Sequence, residues 1–196
     1  MKYISIILLI VISSVAVQAQ SSFFGMTYDV SIPTQDTEKI ISGVQWRGMG
    51  LEGRWYTSKN ISLGFAWDWN VFQETVLTTA TKENLVVTGN QVRNINAFPF
   101  LMTGNYYLKG GSVVQPYFGI GAGVYFVKKR LDIGIISLDE DTWQFGLAPE
   151  VGFLFPMDMG FNLLLKLRYN YAFDSGKGDA LSYFGINVGF ASIELF

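Results

Sequence analysis

The chain has 196 residues, a formal net charge of −2, no cysteine and no histidine. Those absences exclude disulfide stapling, thiolate metal sites and every Ser-His or Cys-His catalytic arrangement, and the charge balance gives no electrostatic footprint for nucleic acid. Aromatics make up 16% of the chain and charged residues only 15%, so a large apolar surface has to be covered.

In chain order, MKYISIILLIVISSVAVQAQ comes first. It reads as a secretory signal, with Lys2 as the positive end, Ile4 to Ile12 as the apolar core and Val17-Gln18-Ala19 as a small-residue cleavage site. Ser13, Ser14 and Gln18 leave the apolar run short of the about 20 residues a membrane helix needs. The expected organisation is a signal peptide over 1–19 and a single domain over 20–196.

Strand-like segments follow, each with side chains alternating in character. The first is Ser22 to Ile32, with Phe24, Met26, Tyr28, Val30 and Ile32 on one face, and a polar loop from Pro33 to Ser42 follows it. Gly43 to Tyr56 is the second. After the turn Thr57-Ser58-Lys59-Asn60, Ile61, Leu63, Phe65, Trp67, Trp69 and Val71 alternate with small and polar residues. A long polar gap is expected from Thr75 to Asn90, then a fourth segment to Leu108 and a short turn at Lys109-Gly110-Gly111-Ser112. The fifth is VQPYFGIGAGVYF, and Lys128 to Asp141 reads as a charged gap. Thr142 to Phe155 and Gly160 to Phe173 are the sixth and seventh, joined by the turn Pro156-Met157-Asp158-Met159. The last segment starts at Leu181.

The gaps alternate long and short. An up-and-down sheet therefore carries its short turns at one end and its long loops at the other. That polarity, with eight strands, predicts an all-β, eight-stranded antiparallel up-and-down transmembrane β-barrel with its termini in the periplasm. A soluble barrel would also alternate, with its large apolar side chains inward. Here the non-apolar faces are mostly small: Gly48 and Gly50, Gly64 and Ala66, Gly146, Ala148 and Gly152. Such a face suits a narrow lumen, and the Phe, Trp and Leu face then meets lipid.

Gly119, Gly121 and Gly123 lie on the lumen side and are expected to make room for long side chains. Gly119-Ile120-Gly121-Ala122-Gly123 also resembles part of a phosphate-binding fingerprint, but Val124 stands where the third glycine is needed. Glu52, Arg54, Asp68, Glu150, Lys166 and Arg168 share the lumen parity and are expected to form a structural ion-pair network, because unpaired buried charge is costly. If Leu154 faces Asn162, Glu150 meets Lys166; a register shifted by two brings it to Arg168. Trp55, Tyr107, Phe153 and Phe161 at the short-turn end, and Trp46, Trp69, Phe126, Trp143, Tyr171 and Tyr183 at the other, read as aromatic girdles. Pro99, Pro116 and Pro149 fall inside strands and suggest bulges. Arg47, on lipid parity, should sit near the rim or past a bulge.

Gln115-Pro116-Tyr117-Phe118-Gly119-Ile120-Gly121, Ala148-Pro149-Glu150-Val151-Gly152 and the last strand resemble the small outer-membrane barrels of Gram-negative bacteria, the OmpA/OmpX-like eight-stranded family. The resemblance covers nearly all of the expected mature chain. It implies a place in the cell outer membrane, with lipid and lipopolysaccharide as surroundings and partners. It also implies an assembly signal read by the barrel-insertion machinery, carried here by Tyr183, Gly185, Val188 and Phe190, with Phe196 at the C-terminus. Lipid A-modifying barrels of this kind use histidine with serine, and this chain has no histidine. Asp68 or Glu150 as a lone carboxylate base has no nucleophile placed beside it. The expectation is a non-enzymatic protein without cofactor or metal. It would act as a structural or interaction barrel through the long loops, whose charges are Lys82, Glu83, Lys128, Lys129, Arg130, Asp139, Glu140 and Asp141 and which offer contacts to a protein partner. A small channel and an accessory subunit of a larger complex are the alternatives.

Overall fold

The computed structural model describes residues 21–82, 85–108, 114–133, 136–157, 160–176 and 179–195. The expected leader and Phe196 lie outside the described residues. Eight strands are described: β1 (Ser21–Pro33), β2 (Arg47–Tyr56), β3 (Ile61–Lys82), β4 (Leu85–Tyr107), β5 (Gln115–Ile133), β6 (Ile136–Pro156), β7 (Phe161–Ala172) and β8 (Leu181–Leu195). Each pairs antiparallel with its sequence neighbour, and β8 returns to β1, from Pro33↔Tyr183 to Ser21↔Leu195, so the sheet closes. Closure leaves no open edge within the bilayer, which a sheet there requires.

Two expected loops are strand instead. β3 and β4 stay paired out to Lys82↔Leu85, and β5 and β6 out to Ile133↔Ile136. The polar stretches 75–90 and 128–141 are therefore mostly two long hairpins, joined by the β4–β5 ladder as far as Gln91↔Ile133. A ladder is held by main-chain hydrogen bonds, so these strands continue without the apolar–polar alternation that marks the rest of the barrel. The loop after β1 contains a short helix, α1 (Gln35–Ile40). Ser182 N–H donates to Thr37 Oγ1 at 2.8 Å, and Arg93 donates to the Ile40 carbonyl at 2.9 Å, which hold α1 at the barrel mouth.

The prolines make no bulges. β3 and β4 keep one register on both sides of Pro99, from Trp67↔Phe100 to Asn70↔Ala97. β6 and β7 do the same around Pro149, from Leu147↔Tyr171 to Glu150↔Arg168. Each ring removes one donor and interrupts the ladder locally without inserting a residue. Pro116 sits at the start of β5, where its carbonyl accepts from Leu108 N–H at 3.0 Å. A bulge does lie between β1 and β2. Tyr28 pairs with Met49 but Ser31 with Gln45, so Trp46, Arg47 and Gly48 oppose only Asp29 and Val30. Arg47 sits in that bulge, exposed, and donates to Gln73 at 3.1 Å.

The outer face is apolar across most of the barrel height, through residues such as Phe65, Phe100, Met102, Ile120, Phe145 and Val151. Trp69, Phe98, Phe126 and Trp143 then form a continuous belt across β3 to β6, with ring centroids 6.2, 6.1 and 4.7 Å apart in turn. The next outward positions on these four strands are Val71, Asn96, Lys128 and Asp141. At the other end Trp55 stands beside Phe65 and Tyr106 beside Phe118. These rings mark the two lipid–water boundaries. Tyr107 and Tyr183, expected in the girdles, are fully buried in the lumen instead. Aromatics occupy both faces of these strands, so ring chemistry alone does not assign a side.

Candidate functional site

The lumen is filled in three layers. At the short-turn end Phe23, Tyr107, Tyr117, Leu154 and Leu164 pack together. Toward the other end Phe72, Ile95, Leu101, Tyr125, Val127 and Tyr183 form a second apolar cluster, capped by Ile41 at the end of α1. Charged side chains lie between the two.

Glu52, Arg54, Asp68, Glu150, Lys166 and Arg168 are all buried. The structure brings them into one network. Lys166 Nζ donates to Glu52 at 2.8 Å. Arg54 Nη2 donates to Glu52 and to Glu150, both at 3.2 Å. Arg168 Nε donates to Glu150 at 2.8 Å, and its Nη1 to Asp68 at 2.5 Å. Four strands supply these groups, so the ion pairs cross-link the inside of the wall. The β6–β7 register places Leu154 opposite Leu164 and Glu150 opposite Arg168, because the two buried leucines meet in the apolar floor. Of the two registers open in the sequence, the one that brings Glu150 to Arg168 is formed.

Two tyrosines complete the network and were not legible as part of it. Arg54 donates to Tyr107 Oη at 3.0 Å and to Tyr117 Oη at 2.8 Å, and its guanidinium stands 4.4 Å from the Tyr117 ring centroid. Asp29, buried on β1, was also missed. Its parity opposite to Met26 and Tyr28 was the available signal.

Gly119 stands opposite Glu150 of the charged network, and Gly121 and Gly123 stand opposite Ala148 and Gly146. A side chain at Gly119 would run into Asn105, at Gly121 into Leu101 (3.2 Å), and at Gly123 into the β4 backbone at Phe100 and Leu101. They allow close approach of β4. Glycine makes room for a large side chain elsewhere: Gly146 accommodates Tyr125, and Gly152 accommodates Tyr117. Of the expected assembly positions on β8, Val188 and Phe190 face outward, whereas Tyr183 and Gly185 face the lumen. Among the described residues, no group of three or more acidic side chains is arranged to hold a metal ion.

Above the belt, Lys128 is exposed and loosely paired, whereas Arg130 is exposed and hydrogen-bonded to Asp132. Lys128 lies 3.8 Å from Asp141, and Arg130 3.1 Å from Asp132 and 3.8 Å from Asp139. A groove of about 380 Å³ is lined there by Asn94, Asn96, Lys128, Lys129, Arg130, Asp139 and Asp141.

A closed antiparallel barrel with an apolar outer band, aromatic boundaries and a charged interior defines an integral outer-membrane protein. The family described as outer membrane protein beta-barrel domain matches residues 5–192, and the chain belongs to it. Among solved structures, the outer membrane protein OprG from Pseudomonas aeruginosa is similar with a TM-score of 0.58 and 16% identity, over 91% of this chain and 98% of that one. Ail, the attachment invasion locus protein of Yersinia pestis, has a TM-score of 0.53 and 15% identity, over 89% and 98%. The N-terminal barrel of Pseudomonas aeruginosa OprF has a TM-score of 0.51 and 10% identity, over 90% and 98%. At these identities the likeness is one of fold. No curated protein matches the chain.

Proposed function

We propose that this barrel is a non-enzymatic interaction protein of the outer membrane. Its lumen is closed by structural ion pairs, and its protruding sheet contacts anionic saccharides such as lipopolysaccharide headgroups. The observation that carries this reading is the change of the outer face at the Trp69–Phe98–Phe126–Trp143 belt, from lipid-facing side chains to Lys128, Arg130 and their neighbours. That height is where headgroup phosphates lie. At 3.8 Å the Lys128–Asp141 pair is too long for a hydrogen bond, so its ammonium remains available to an incoming anion. The solved Ail complex contains the heparin analogue sucrose octasulfate, a ligand of the same chemical class. In this reading the leader over 1–19 is removed on export, and the barrel-insertion machinery takes the chain by β8.

The test is titration of the refolded, detergent-solubilised barrel with sucrose octasulfate, beside planar-bilayer conductance of the wild type and Glu150→Ala. The expected results are saturable binding, weakened several-fold in the Lys128→Ala/Arg130→Ala double variant, and no steady wild-type conductance. Absence of binding overturns the anion reading. A stable wild-type conductance altered by Glu150→Ala overturns the closed lumen and makes the channel reading primary.

A further inference from the structure

The charges of the lumen do not balance. Among the described residues four carboxylates are buried there, those of Asp29, Glu52, Asp68 and Glu150, against three cations, Arg54, Lys166 and Arg168. All three cations are engaged with Glu52, Glu150 and Asp68. Asp29 forms no ion pair among the described residues. Its Oδ1 accepts from Thr27 Oγ1 at 2.7 Å, and its buried Oδ2 accepts from no donor. An uncompensated buried carboxylate is strongly unfavourable.

The surroundings of Asp29 are rich in oxygen. The inward positions of β2 at this level are Gly48 and Gly50, so side chains from β1 and β3 meet over a bare strip. A methyl group on Gly50 would meet Asp68 Oδ1, Thr27 Oγ1 at 2.6 Å and Asp29 Oδ2 at 3.1 Å. One on Gly48 would meet the Asp29 carbonyl at 2.7 Å and Asn70 Oδ1 at 2.8 Å. Five oxygens from three residue types and one main-chain carbonyl thus border the strip. The charged and titratable groups around it are Glu52 on β2, Lys166 and Arg168 on β7, Tyr125 on β5 and Tyr183 on β8.

We propose that Asp29 and Asp68, with Thr27, Asn70 and the Asp29 carbonyl, form a binding site for one small hard monovalent cation, sodium being the probe. Carboxylate, amide, hydroxyl and carbonyl oxygens are the donor set that hard cations take. A single positive charge neutralises the lumen, whereas a divalent ion would leave it positive. The bound ion ties β1 to β3 across the glycine strip, at the height where the β1–β2 ladder gives way to its bulge.

The test is the urea midpoint of the refolded full-length mature barrel in micelles, in sodium chloride against choline chloride at equal ionic strength. The midpoint rises with sodium and saturates, Asp29→Asn abolishes the sodium dependence, and the exposed control Asp141→Asn retains it. Thr27→Val raises the half-saturating sodium concentration several-fold, and it serves as the reading should Asp29→Asn fail to refold. Equal midpoints in the two salts, or an unchanged sodium dependence in both variants, overturn the proposal. So does an infrared band from a protonated carboxyl that Asp29→Asn removes, which would assign the compensating charge to a proton. These outcomes are independent of whether the outer sheet binds saccharides.

Discussion

Two groups of charges at different heights of this barrel behave differently. Inside, Lys166 and Glu52 meet at 2.8 Å with side chains 1% and 3% exposed. Above the belt, Lys128 and Asp141 stand 3.8 Å apart with side chains 50% and 55% exposed. Both pairs join a lysine to a carboxylate, and their energetics differ. In the lumen each ion has lost its water, so its partner is obligatory and the pairing fixes which strands face each other. Above the membrane water solvates both partners, and the pair is optional. Strand parity and height relative to the aromatic belt separate the two cases.

The sharpest way to break the comparison is to remove Arg168, which holds both Asp68 and Glu150. Arg168→Met leaves two buried carboxylates short of a partner and is expected to cost about 3–5 kcal/mol of stability. Urea unfolding of the refolded barrel in micelles reads it. Adding Asp68→Asn and Glu150→Gln to the same chain is expected to recover much of that loss, since the orphaned charges go with their partner. A single variant no less stable than one altered at an exposed pair would show that water reaches the network.

That contrast was partly legible in the sequence. The alternation in Ile61 to Val71 and in Phe161 to Tyr171 exposes the strands and their two faces, and parity alone places Glu52, Arg54, Asp68, Glu150, Lys166 and Arg168 inside. What parity does not give is pairing. Which base meets Glu150 depends on the hairpin register, and that is set by Leu154 against Leu164 in the floor. The strands above the belt were missed because residues 75–82 and 128–133 carry no alternation of apolar and polar side chains. Tyr107 and Tyr117 escaped notice because an aromatic ring suits lipid, boundary and lumen alike. Only its hydroxyl, paired here with Arg54, distinguishes the last case.

A smaller effect is expected from Lys128→Ala. The substitution removes the long contact with Asp141 and the ammonium 5.3 Å from the Phe126 ring centroid. Exposed pairs and exposed cation–π contacts are each worth about 1 kcal/mol or less. The urea midpoint should therefore move little, and less still in high salt, which screens exposed charges. A loss as large as that of Arg168→Met would mean that the outer pair is structural after all, and the distinction between the two regions would fail.

The smallest effect concerns the rim between the regions. Glu74, beyond the belt on β3, accepts from the Ser42 hydroxyl at 2.7 Å and from the Ser42 amide at 3.0 Å. These two donors hold its carboxyl below the ordinary glutamate value. A carboxylate favoured in the folded state stabilises the fold above its unfolded pKa, and that contribution is lost as pH falls through the lowered folded value. The contact ties the segment after α1 to β3, so acidification should release that segment. The group is largely solvated, so the contribution should be below about 1 kcal/mol. The Ser42 amide resonance, followed by NMR in micelles, should titrate with a midpoint below that of free glutamate. Ser42→Ala removes the hydroxyl donor but keeps the amide, so Glu74 itself should then titrate at a higher pH, part of the way back to the ordinary value. An unchanged Glu74 midpoint in that variant would mean that the hydroxyl does not hold the carboxylate, and the attachment of this segment to β3 would rest on the Ser42 amide and on the Gln45 contact with the Gln73 amide.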